Sequence, residues 1–158
     1  MKMPVPLEIG LVVNNMERMV DYYVNVLGLT LVGDSTGGAE ASTRVSTTPH
    51  GYRIVRLQTP SPSGERIKFV MTNKEAAQPA PVPQWVYERH GICYLTFVVT
   101  NLNEIVQRLK EKGVKLMNPE VVEVRPGMFC INSTDPEGNF VEFVEYTDVQ
   151  SYRPELFK

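Results

Sequence analysis

Residues 7–28 read LEIGLVVNNMERMVDYYVNVLG and residues 93–113 read CYLTFVVTNLNEIVQRLKEKG, and laying one over the other decides the fold. At an offset of 86, Val12, Val13, Asn15 and Val20 recur identically as Val98, Val99, Asn101 and Val106. Each segment opens on a β-rich run, passes a short polar turn and continues with apolar residues at helical spacing. The helical stripe is Met16, Met19, Val20, Tyr23 and Leu27 in the first, and Leu102, Ile105, Val106 and Leu109 in the second. Asn14 or Asn15 is the expected N-cap of the first helix, and Gly28 and Gly113 are the expected stops. Further out, residues 52–72 (YRIVRLQTPSPSGERIKFVMT) read as a hairpin turning on Pro62-Ser63-Gly64. Residues 128–146 (MFCINSTDPEGNFVEFVEY) turn likewise on Pro136-Glu137-Gly138, and the two hairpins superpose at an offset of 74. Each half is a strand, a helix and then two or three strands, so a βαβββ module is used twice.

The modules fall at residues 1–73 and 92–146, joined by residues 74–91, and the proline density of residues 73–83, NKEAAQPAPVP, favours an extended connector. PQWVYERH, residues 83–90, is expected to make a helical turn or two. Residues 32–51, rich in Gly, Ser and Thr, read as a mobile loop around a short strand near residues 41–46. The tail at residues 147–158 reads as a surface extension, and Arg125-Pro126-Gly127 as a turn. A chain of 158 residues with 42% hydrophobic and 22% charged residues buries a core without staples. Sixteen basic residues against eighteen acidic ones, with no basic run, argue against a nucleic-acid partner. No apolar stretch reaches the roughly 20 residues of a membrane span, and the N-terminus lacks a signal pattern, so the expectation is a cytoplasmic protein. Cys93 and Cys130 sit in apolar runs without metal-ligand spacing and read as buried free thiols. No phosphate-binding glycine motif supports a nucleotide cofactor.

The paired modules, VLGLTLV after the first helix and the DPEGNFVEFVEY hairpin resemble the vicinal oxygen chelate superfamily, over roughly residues 5–146. That group includes glyoxalase I, methylmalonyl-CoA epimerase, extradiol dioxygenases and the bleomycin- and fosfomycin-resistance proteins. The resemblance implies an α+β fold in which the two modules form a cup-shaped mixed β-sheet with the helices outside. It also implies a dimer and a small-molecule ligand. It places metal ligands at four strand positions, which in this chain hold Glu8, Lys68, Tyr94 and Glu142. An ammonium has no lone pair to offer an ion, and neither His50 nor His90 lies in the matched register. The expectation is therefore no metal cofactor, with a weakly held divalent ion on Glu8 and Glu142 as the lesser alternative.

Strand parity bears on the same residues. Leu7, Ile9, Leu11 and Val13 share an apolar face, as do Cys93, Leu95, Phe97 and Val99, so helices should cover these faces. Glu8 and Lys68 then stand on the other face, and the repeat makes Tyr94 and Glu142 their counterparts, so the four are expected to converge. In one reading this is a structural network, Lys68 bridging the two carboxylates. In the other it is catalytic: Lys68 holds a substrate oxygen, Glu142 or Glu8 is the base and Tyr94 a donor. The activity expected is a metal-independent isomerase or lyase on a small carbonyl or carboxylate compound. The alternative is a binding protein of the antibiotic-resistance kind. Arg53 and Arg56 lie an odd number apart, so one of them faces the site and suits a carboxylate or phosphate of the ligand. Trp85, beside Tyr87, is a candidate lid over the ligand.

Overall fold

The computed structural model describes residues 3–74, 76, 81–82, 84–88, 90–92 and 94–157. Strand β1 (Glu8–Val12) runs into helix α1 (Met16–Asp21), whose end widens into a π turn over Tyr22–Val26. Of the two candidate caps it is Asn15 whose side-chain oxygen accepts the Arg18 N–H, at 3.0 Å. Gly28, at φ 85°, lets the chain leave the helix in a conformation that a Cβ would oppose. Strand β2 (Thr30–Gly37), helix α2 (Ala39–Arg44), β3 (Tyr52–Gln58) and β4 (Arg66–Thr72) complete the first module. The second repeats it with β5 (Tyr94–Val99), α3 (Leu102–Glu111), β6 (Val122–Arg125), β7 (Met128–Thr134) and β8 (Phe140–Tyr146).

Two compact units result, Met1–Pro79 and Ala80–Lys158, each with its own four-stranded mixed sheet. The strand orders are β1-β4-β3-β2 and β5-β8-β7-β6, with the first strand of each unit parallel to the last and the other pairs antiparallel. Both sequence offsets hold at once in the pairing. Glu8 pairs with Arg66 and Gly10 with Lys68; 86 and 74 residues on, Tyr94 pairs with Phe140 and Thr96 with Glu142. The hairpins turn where expected, with Gly64 and Gly138 donating to Ser61 and Asp135 carbonyls at 3.0 Å each.

In each unit the helix covers one sheet face. Met16, Met19 and Tyr23 are fully buried, and the Tyr23 ring meets Phe69 of β4 edge-on at 5.1 Å. In the second unit α3 buries Leu102, Val106 and Leu109, and Val141, Phe143 and Ile131 are among the buried residues of the strands. Burying each such side chain contributes about 1.5–3 kcal/mol. Glu145 of β8 accepts the Leu102 N–H at 3.0 Å, so in this unit a strand carboxylate satisfies a free donor of the helix start.

One expectation is corrected. Residues 32–51 hold a long strand and then a helix, Ala39–Arg44, where a short strand was expected. The β-prone Thr43 is overridden because the buried Ser42 hydroxyl bonds the carbonyls of Gly38, Ala39 and His50 and pins the helical turn. The tail is ordered as α4 (Val149–Tyr152) and a 3-10 turn, Pro154–Phe157, with Asp148 capping through Ser151 and Tyr152 stacked on Tyr146 at 4.1 Å. The segment around Trp85 makes a single 3-10 turn, Val86–Glu88, within the helical turn or two expected. Cys130 is a buried free thiol, and Cys93 lies outside the described residues. No helix among the described residues is long and apolar enough to cross a membrane.

Candidate functional site

Pairing fixes which side chains share the face turned away from each helix, because directly paired residues point to one side. In the first unit one rung of that face reads Gly10, Lys68, Arg56 and Gly33, and the next reads Glu8, Arg66 and Gln58. Lys68 therefore stands where parity put it, on the face of Glu8. The parity question over the arginines also closes. Arg56 is on this face, whereas Arg53 lies on the helix side with the buried Val55 and Leu57. There Arg53 binds Glu17 of α1 at 2.6 Å and Asp34 of β2 at 2.8 Å. Those bonds hold both carboxyls below their usual range and the guanidinium above its own, so Arg53 ties α1 to the sheet.

Glu8 does not pair with Lys68 in this unit. Its ion-pair partner is Arg66, at 3.6 Å, whose Nε also donates to Gln58 at 3.2 Å. The lysine bridge imagined for Glu8 is thus replaced by an arginine two residues earlier. Among the described residues Lys68 and Arg56 form no ion pair.

In the second unit the corresponding face carries Tyr94 and Thr96 of β5, Glu142 of β8, and Cys130 and Asn132 of β7. Tyr94 is half exposed, at 49%. Thr96 Oγ1 donates to one Glu142 oxygen at 2.6 Å and the Cys130 thiol to the other at 3.5 Å. Burial foremost, then the charge of Glu142 and this bond, push the Cys130 thiol up to about 12, so it is a donor and no thiolate nucleophile. Both Glu142 oxygens are oriented, and the carboxylate remains half-buried on its face.

Arg66, Thr96 and Cys130 are the residues that sequence reasoning passed over. Arg66 and Thr96 were readable, each two positions from a chosen residue on the same strand. Cys130 was not, because its place beside Glu142 depends on the register of β7 against β8. Trp85 and Tyr87 are exposed, and the Trp85 N–H donates to Glu88 at 3.1 Å.

The side chains at the four matched positions do not fit a divalent ion. Lys68 brings a positive charge, Glu8 is committed to Arg66, and Glu142 takes its bonds from a hydroxyl and a thiol. Among the described residues no three of His, Cys, Asp and Glu gather as a ligand set. What the faces present is a cluster of cations on the first unit and a carboxylate oriented at both oxygens on the second.

Comparison with known proteins finds no match among curated sequences. Solved structures do match. A glyoxalase family protein from Bacillus cereus aligns over 92% of this chain and 95% of its own, with TM-score 0.75 and 22% identity. A glyoxalase family protein from Enterococcus faecalis aligns over 91% and 98%, with TM-score 0.62 and 19% identity. A genomically encoded fosfomycin resistance protein from Listeria monocytogenes aligns over 92% and 96%, with TM-score 0.61 and 14% identity. At these identities the likeness concerns the fold alone. The sequence profile of the Glyoxalase/Bleomycin resistance protein/Dioxygenase superfamily matches residues 6–143, and with both modules in the register just described, the chain belongs to that superfamily.

Proposed function

We propose that this chain is a metal-independent isomerase or lyase acting on a small oxygenated compound, a carbonyl or a carboxylate. The observation that carries the reading is Glu142, a carboxylate held at both oxygens by Thr96 and Cys130 at a position where the superfamily resemblance expects a metal ligand. Glu142 is assigned the proton transfer. It takes a proton from the carbon next to the substrate carbonyl, leaving the electron pair as an enolate, and returns it at the same or the neighbouring carbon in an isomerisation. In the lyase version the same electron pair expels a leaving group. Tyr94, on the same face of the second unit, is assigned the part of a donor to the substrate oxygen. Glu8, held by Arg66, is the weaker base candidate.

The test is solvent deuterium incorporation, followed by NMR, across a panel of carbonyl and carboxylate compounds. Exchange that persists after chelator treatment and is lost in Glu142→Gln, with ligand affinity within a few-fold, supports the assignment. Equal losses of exchange and affinity, or binding without exchange throughout the panel, overturn it. A second reading, a protein that binds a small molecule such as an antibiotic without changing it, draws on the same two hydrogen bonds. A carboxylate satisfied at both oxygens also serves as a fixed acceptor.

A further inference from the structure

We propose that Asn132 is a further catalytic residue of the second unit, its carboxamide donating to the oxygen of a neutral aldehyde or ketone while Glu142 works on the adjacent carbon. This rests on the proton transfer proposed above and narrows the substrate to an uncharged carbonyl compound. Asn132 of β7 pairs directly with Glu142 of β8. Its backbone N–H donates to Asn118 Oδ1 and its carbonyl accepts from the Met117 N–H, at 2.8 Å each, so both backbone groups point away from β8. Asn132 and Glu142 are therefore a non-hydrogen-bonded pair, the kind in which facing side chains come closest, with Cα atoms about 4.5 Å apart.

Despite that closeness the two side chains do not bond each other. Glu142 is held by Thr96 at one oxygen and by Cys130 at the other, and among the described residues the half-buried Asn132 carboxamide makes no hydrogen bond. Its two N–H donors are left for a group from outside the chain, and no bond is broken to present them. Facing side chains of such a pair have Cβ atoms about 4.5–5.5 Å apart, a gap that an acidic carbon and its carbonyl oxygen bridge with one end on each residue. Glu142 takes the proton from that carbon, the C–H electron pair becomes a carbon–carbon double bond, and the carbonyl π pair moves onto oxygen. Negative charge thus grows where the Asn132 N–H bonds point, and the amide keeps its protons throughout. Return of the proton from Glu142 to carbon restores the starting protein. Electrostatics select the substrate class. Among the described residues of β5, β7 and β8 on this face, Glu142 alone is charged. A carboxylate substrate would set a second negative charge beside it and become a dianion on losing its proton, which a neutral amide does not balance. A neutral carbonyl develops a single negative charge, suited to a dipolar donor.

The test is solvent deuterium exchange with the full-length protein, followed by NMR, on acetaldehyde, hydroxyacetone and cyclohexanone, each beside its carboxylate counterpart, acetate, glycolate or cyclohexanecarboxylate. Exchange above the buffer rate is expected on at least one neutral carbonyl and on none of the carboxylates. Asn132→Ala and the similarly sized Asn132→Leu should each lower kcat by about a hundredfold or more, as loss of an oxyanion donor implies, with KM within a few-fold. Both should melt as wild type does, because the side chain has no hydrogen bond to lose and Asn118 and Met117 hold the backbone. Thr134→Val, one rung along on the same face, should keep wild-type exchange. In the infrared, the C=O stretch of a bound ketone should be lowered in Glu142→Gln and return to its free value when Asn132→Ala is added. The proposal is overturned if the carboxylates exchange instead, if the Asn132 variants keep the wild-type rate, if Thr134→Val loses as much, or if the stretch does not respond to Asn132→Ala. Exchange lost in Glu142→Gln but intact in Asn132→Ala sinks this inference alone. A ketone whose stretch responds to Asn132→Ala but which never exchanges sinks only the proposed reaction, and a wild type that neither binds nor exchanges any of these compounds overturns both.

Discussion

The two sheets match residue for residue in pairing, yet their helix-free faces carry opposite chemistry. Where the first unit sets Lys68 across from Arg56, the second sets Glu142 across from Asn132. Where the first has Gly10 beside its lysine, the second has Thr96 beside its glutamate, close enough for a 2.6 Å hydrogen bond. The backbone register is held by alternation of apolar residues on the helix side, where a slip of one residue would turn the core outward. The opposite face is free of that constraint, so a duplicated scaffold can keep one architecture and divide cation and carboxylate between its copies.

The comparison is broken hardest by attacking what the units share. Phe69 and its counterpart Phe143, 74 residues on, are both buried against aromatic neighbours, Tyr23 and Phe97. Phe69→Ala and Phe143→Ala should each cost about 3–5 kcal/mol by denaturant titration. A clear inequality would show that only one copy depends on this packing.

A smaller effect distinguishes the units by pH. The Cys130 thiol has a folded pKa raised from its ordinary 9.0 to about 12, so its contribution to stability is whole below about 9 and is lost as pH rises towards 12. Thermal melts across that alkaline range should show a decline that Cys130→Ala reduces. In a Cys93→Ser background the native protein should resist alkylation at neutral pH until denatured. Fast native labelling would refute the buried, protonated thiol.

The smallest effect concerns the helix starts. Asn15→Ala and Glu145→Ala should each cost about 1 kcal/mol, the first by removing a local cap and the second a long-range one. Calorimetry that finds Glu145→Ala silent would leave α3 capped by other means.

How much of this was readable beforehand follows from the range of each interaction. The βαβββ repeat, the turns at Gly64 and Gly138 and the placement of Lys68 opposite the helix are local patterns, written in spacing and alternation. The partner of Glu8 was misjudged because Arg66 and Lys68 share a face, and only the outcome of their competition for one carboxylate selects the arginine. The helix at Ala39–Arg44 was missed because its decisive bond reaches from Ser42 to the carbonyl of His50, a loop contact that propensity does not carry. Cys130 entered the site through register between strands, which composition does not record.

In both units the opening strand pairs only with the closing one, while the three later strands form hairpins with their neighbours. As a chain emerges from the ribosome, β1 must wait unpaired until residues 66–72 follow, some 55 residues later. A nascent chain halted before β4 would thus show a hairpin and a helix but no closed sheet. Each unit matures in one late step, set by delivery of its final strand.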